Sequence, residues 1–343
     1  MQRPVMDPTF LKDVVKAKRK GLPYWQFVKR SAKWFGRSLL SNPLVVRRPD
    51  DPWKPSYFKL LVRMVVTWSI FAPVLVGLTA FILVWLGTHP SVPLTVADPN
   101  SQGCYFDTLQ FASGDGTPLM AWELPVVDAK RVLDERDQVL KIRRPAIILV
   151  HDFGQSPQQM LPLVRPLHDE GMLVMVLALR GTGTGSPAGQ TFGLDEAKDI
   201  AAAVDLMRHN PFVDPNRIAL AGIGTGANAA LIAASRDANI KAVIVANPVK
   251  NCDDEVARRI VPRKPWLKWM EPLCRQVFNL VYRAEVTDVN YDKLVMVRNS
   301  RPTLLFDTGD NYVLHEGTTA KQMKVFCRRY LRTRDSQALS AAQ

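Results

Sequence analysis

Hydrophobic and polar positions change their pattern twice along this chain. Residues 1–63 scatter apolar side chains among Lys and Arg; residues 64–87 (MVVTWSIFAPVLVGLTAFILVWLG) hold no charge; beyond residue 104, short apolar runs alternate with segments of helical period. An uncharged helix of that length exceeds the roughly 20 residues that cross a hydrocarbon core of about 30 Å, so residues 64–87 are predicted to span a membrane. Pro73 is tolerated in such a helix, and Trp68 and Trp85 lie towards its ends, where interfacial aromatics belong. A cleaved signal peptide fits poorly, because 63 residues precede the run and the run is longer than an h-region of about 7 to 15 residues. A buried core helix fits less well still.

After a linker at residues 88–103, the pattern predicts a hairpin from residues 105–111 and 119–124 around Ser113-Gly114-Asp115-Gly116. Residues 146–150, 172–179, 217–222, 242–246 and 303–307 are apolar runs of buried parallel-strand type. Helical periods fall between them, at residues 158–170, 193–208, 227–236 and 320–332. A hairpin followed by strand and helix repeats predicts an α/β domain over residues 104–332, a mostly parallel sheet with helices on both faces, and a tail at 333–343. An insertion at about residues 247–300 carries Trp266 and Trp269 among basic residues, then VFNLVY. It reads as a helical cap whose tryptophans pack on the domain, or as a lid or partner surface that could touch the outer leaflet.

Charge sets the topology. Residues 1–63 hold 15 Lys or Arg against 4 Asp and no Glu, a net of +11 out of a total of +13, and residues 88–129 hold no Lys or Arg. Positive charge stays on the cytoplasmic side, which predicts a single-pass protein with its N-terminus inside and its main domain outside the cytoplasm. The basic arm reads as amphipathic helices on an anionic leaflet, as a solvated arm that only fixes topology, or as a partner-binding arm. Basicity confined to an anchor is not a nucleic-acid signal. Of four cysteines, Cys252 and Cys274 flank one segment and could pair in an oxidising compartment, or all four are free thiols. No Cys-x-x-Cys spacing occurs, and no metal or cofactor is predicted.

The chemistry concentrates in glycine turns. RIAL leads into AGIGTGANAA, a strand, a turn and a helix in which Gly222-Ile223-Gly224-Thr225-Gly226 follows the frame of a nucleophile elbow with glycine in the serine position. A dinucleotide loop fits poorly by position, since that motif follows the first strand of its domain. With FASGDGTPLMAW, ILVHDFGQSP, LALRGTGTGS and FGLDEAKDIAAAVDLMRHNPFVDPNRIALAG in order, the chain resembles the α/β-hydrolase superfamily over residues 104–332, most closely its serine esterase and peptidase-like members.

That resemblance implies a nucleophile, a histidine base, an orienting carboxylate and two backbone N–H groups for an oxyanion. Here Gly224 has no side chain, and Thr225, whose amide would serve the oxyanion, is placed to point elsewhere. His151, Asp152, Phe153 and Gly154 stand in the oxyanion loop, with Asp152 where the family has glycine, so its charge would oppose an oxyanion. Asp310 matches the acid, while His315 is a base only if residues 303–307 form the last strand. His151 is read as orienting its own loop, His168 and His209 fall on outer helices, and His89 adjoins the membrane. The expectation is a degenerate, membrane-anchored homologue acting as scaffold, complex subunit or ligand sensor. The alternative is an active esterase or peptidase-like enzyme with non-standard catalytic residues.

Overall fold

The computed structural model describes residues 57–92, 97–126, 143–182, 188–261, 265–283, 301–306 and 318–331. Two compact units divide the chain, Met1–Trp68 and Ser69–Gln343. The first helix, α1, runs over Tyr57–Thr88. It begins seven residues before the predicted span because Tyr57, Phe58, Leu60 and Leu61 extend the apolar run past Arg63. Its segment Leu61–Thr88 is long and apolar enough to cross a membrane. Within the second unit the last turns of α1 bury Ala80, Val84 and Thr88, one residue per turn along a single stripe, while Phe81, Ile82, Trp85 and Leu86 stay exposed.

Among the described residues the sheet has seven strands: β1 (Asp107–Ala112), β2 (Pro118–Leu124), β3 (Arg144–Val150), β4 (Leu173–Ala178), β5 (Val213–Ile223), β6 (Ile240–Ala246) and β7 (Thr303–Phe306). Their order is β1-β2-β4-β3-β5-β6-β7. The β1–β2 hairpin joins β4 antiparallel, and β4, β3, β5, β6 and β7 run parallel. The central strands are apolar without alternation because both faces are covered: every residue of β4 is buried, and so is nearly all of β3. One face packs on α3 (Glu196–His209) and α4 (Thr225–Arg236), through Ile148, Met175 and Leu220 against Ile200, Val204 and Leu231. The other packs on α2 (Leu161–His168) and α7 (Thr318–Leu331), through Leu149, Val176 and Ile244 against Leu163, Met323 and Cys327.

The insertion contributes α5 (Cys252–Ile260), a 3-10 turn (Pro265–Met270) and α6 (Glu271–Tyr282). Leu267, Met270, Cys274 and Phe278 enter the same core as α3 and α4. Trp266 and Trp269 remain exposed, which corrects the expectation that the cap's tryptophans pack on the domain. The two faces of this segment differ because the buried residues already satisfy the contact with the sheet layer. Cys274 is buried with a free thiol, as are Cys104 and Cys327; the Cys252 side chain, the partner proposed for Cys274, lies outside the described residues.

Candidate functional site

The site lies where β3, β4 and β5 end. β5 stops at Ile223, Gly224 turns the chain with φ 56° and ψ −120°, and Thr225 opens α4. A non-glycine residue in that region is strained by on the order of 1–3 kcal/mol, which glycine avoids. Gly222 and Gly226 are required for another reason. A Cβ on Gly222 would lie 2.4 Å from Gly226 O, and one on Gly226 would lie 2.3 Å from His151 O. The turn therefore keeps the close strand–helix approach of a nucleophile elbow, with Gly224 N donating to Ala246 O at 2.9 Å.

The loop after β3 lies against this turn. Fully buried His151 directs Nδ1 to Asp152 O at 2.8 Å, and Leu179 N donates to its Nε2 at 3.2 Å. Accepting at Nε2 fixes the neutral tautomer with the proton on Nδ1. Burial drives its pKa down to about 4, against the opposing hydrogen bond to Asp152. Both ring nitrogens are committed to backbone, so His151 holds the loop in shape.

Asp152 turns its side chain inward. Oδ1 accepts from Phe153 N at 2.7 Å, from Thr225 N at 2.9 Å and from Thr225 Oγ1 at 3.2 Å. Asp152 therefore supplies one oxygen to the amides of both Phe153 and Thr225. A Cβ built on Gly224 would lie 2.1 Å from Asp152 Oδ1 and 2.6 Å from Oδ2. The carboxylate thus fills the space next to the missing side chain. Burial pushes the Asp152 carboxyl above the ordinary range, while the amides of Thr225 and Phe153 and the charge of Arg259 pull against it.

An aromatic series runs outward from this loop. Phe153 stacks on Phe192 with centroids 4.9 Å apart, Phe192 meets Phe278 at 5.9 Å, and Phe278 meets Tyr282 at 5.0 Å. Phe192 has φ 58°, a left-handed backbone that its neighbours hold in place. Arg259 of α5 lies 4.4 Å above the Phe153 ring and pairs with buried Glu255. Gln190 ties the same loop to two others: Oε1 accepts from Gly154 N at 3.0 Å, Nε2 donates to Arg180 O at 3.1 Å, and its own N donates to Thr88 O at 2.8 Å. Tyr282 OH donates to Thr88 Oγ1 at 2.7 Å.

The turn after β4 carries a buried charge network. Arg180 reaches Asp199 through Nε at 3.0 Å and Nη2 at 2.5 Å, and Asp115 through Nη1 at 2.8 Å. Burial raises the Asp199 carboxyl against the pull of Arg180, and Asp115 is held well below its ordinary value, the Thr117 and Arg180 hydrogen bonds outweighing burial. Glu196, also raised by burial, accepts from Thr191 N, Thr191 Oγ1 and Gly193 N at 2.7 to 2.9 Å. Sequence reasoning gave Asp199, Glu196, Asp115 and Gln190 no role. The signal lies in Glu196 and Asp199 of LDEAKD, acids that open a helix next to an arginine turn.

Asp310 and His315 lie outside the described residues. His168 and His209 bond backbone carbonyls of Pro125 and Asp205, and His89 stacks on Trp85. Among the described residues no cluster of three or more His, Cys, Asp or Glu is placed to hold a metal ion.

A model of the serine aminopeptidase S33 family matches residues 141–339, more than half of the chain. The chain belongs to this family of α/β-hydrolases. Two curated relatives are polyketide transferases, GrgF of a Penicillium species (26% identical) and Af380 of Aspergillus fumigatus (27%). The matches cover 44% and 43% of this chain and 48% and 47% of the relatives, so the chain spans about half of their length. Among solved structures, the esterase Pf2001 of Pyrococcus furiosus superimposes with a TM-score of 0.53 at 14% identity, over 71% of this chain and 99% of that one. This likeness is one of fold.

Proposed function

We propose that this protein is a membrane-anchored, non-catalytic α/β-hydrolase homologue, displayed outside the cytoplasm and serving as scaffold, complex subunit or ligand sensor. One observation carries the reading: the Asp152 carboxylate sits on both amides an oxyanion would need, beside a Gly224 that offers no nucleophile. Thr225 Oγ1 does not substitute, since it is buried and bonded to the same carboxylate. Anchoring is supported by α1, and orientation by the +11 of residues 1–63, which suits an anionic cytoplasmic leaflet. For a sensor, the names of the curated relatives, both polyketide transferases, point to polyketides as the ligand class.

A second reading, a working hydrolase with non-standard residues, has one observation in its favour. Asp152 Oδ2 lies 2.6 Å from the place of a Cβ on residue 224, where it could act as a carboxylate nucleophile. Against it, the other oxygen of Asp152 occupies the amide pair and His151 has no nitrogen free for base catalysis. Purified full-length protein should turn over p-nitrophenyl esters of short and medium chain length at the background rate, and should not react with a fluorophosphonate probe. Turnover above background that disappears in Asp152→Asn would overturn the first reading and establish the second.

A further inference from the structure

Trp266 and Trp269, 67% and 62% exposed, flank α1. With Leu267 and Met270 they form one wall of an open groove of about 350 Å³, whose other wall is Leu75, Val76, Thr79 and Leu83. Thr79 supplies the only hydroxyl among these side chains, and its Oγ1 donates to Leu75 O at 2.7 Å, within the helix. The groove thus suits an apolar occupant. Its depth follows from helix geometry: at 1.5 Å per residue, Leu83 lies about 8 Å and Leu75 about 20 Å below Thr88 along the axis. Both residues fall inside the uncharged run. Packing of Ala80, Val84 and Thr88 into the domain core fixes the cap beside the helix rather than above it.

We infer that the cap is sunk into the outer leaflet, with Trp266 and Trp269 among the lipids and phospholipid acyl chains filling the groove they form with α1. This rests on the proposal that α1 crosses the membrane and adds that the soluble-type domain is itself partly embedded. Continuity with the helix selects the bilayer as occupant: the exposed face of α1 (Val74, Leu78, Phe81, Ile82, Trp85) runs at the same depth as the groove. The cap also suits that level. Leu280 is 80% exposed, and Lys268 between the tryptophans is exposed with an apolar stem that can lie along acyl chains. Indole rings favour the boundary between acyl chains and headgroups, where the N–H finds a partner.

The test uses full-length protein in phosphatidylcholine vesicles with and without bromine on the upper acyl carbons, reading tryptophan emission. Trp266→Phe with Trp269→Phe, and separately Trp85→Phe, are compared with the unaltered chain, so that each difference spectrum isolates the missing residues. The expected result is that bromolipid quenches the difference spectra of both the cap pair and Trp85. If the Trp85 signal is quenched and the cap signal is not, the embedded cap is overturned and the membrane span stands. If neither is quenched, both fall. Quenching of the cap pair that appears only when protein is diluted in lipid would mean that a second copy covers the groove, which also overturns the inference.

Discussion

The turns after β4 and β5 flank the same loop, yet they keep different things. At the β4 turn, buried Arg180 retains a complete set of partners in Asp199, Asp115 and Ser113. At the β5 turn Gly224 carries no side chain, and a carboxylate from the neighbouring loop fills the space beside it. The difference separates what holds a fold from what performs chemistry. A buried arginine cannot lose its partners without leaving a charge unpaired, so its network is bound to folding. A side chain at φ 56° would add strain and no packing, so glycine there leaves the fold intact.

The comparison breaks first at Arg180. Arg180→Met should destabilise the protein by about 3–5 kcal/mol, because Asp199, with no exposure of its own, is left without its guanidinium. Urea denaturation would measure this, and a loss below about 1 kcal/mol would remove the distinction between the turns. Next comes Gln190→Ala, which leaves Gly154 N and Arg180 O without side-chain partners and should cost about 1–3 kcal/mol in the same assay. The smallest effect is a pH dependence at Asp152. Its folded pKa is raised, so whatever stability the group contributes is present below its unfolded value, near 4, and is lost as pH rises through the folded value. Melting temperatures of the unaltered chain and Asp152→Asn should lie close at low pH and separate in favour of the Asn variant as pH rises. A gap that instead closed with rising pH would mean the folded carboxyl is lowered.

Much of the frame could be read from the sequence, because both sheet faces are covered and strands such as AIILV and MLVMVLAL therefore carry no alternation to confuse. The glycine frame of the turn was legible too, since Gly222 and Gly226 are demanded by close backbone contacts. The direction of the Asp152 side chain was not. Its partners are the next amide and one 73 positions along the chain, and a linear pattern does not specify which way a loop carboxylate rotates. The same holds for Trp266 and Trp269: their spacing suited a packed cap, and only the placement of α1 beside it leaves them outside the core.

The central claim is that Gly224 and Asp152 are fitted to each other, so that the place of the nucleophile is filled. It is tested most directly by a thermodynamic cycle on stability with Gly224→Ser, Asp152→Gly and the double variant, each assayed also for ester hydrolysis. Serine at 224 should cost backbone strain of on the order of 1–3 kcal/mol plus a comparable amount for its collision with the carboxylate. In the Asp152→Gly background only the strain should remain, giving a coupling of about 1 kcal/mol or more, with hydrolysis at background in all four proteins. Additive stabilities, together with turnover by the unaltered chain, would contradict the account.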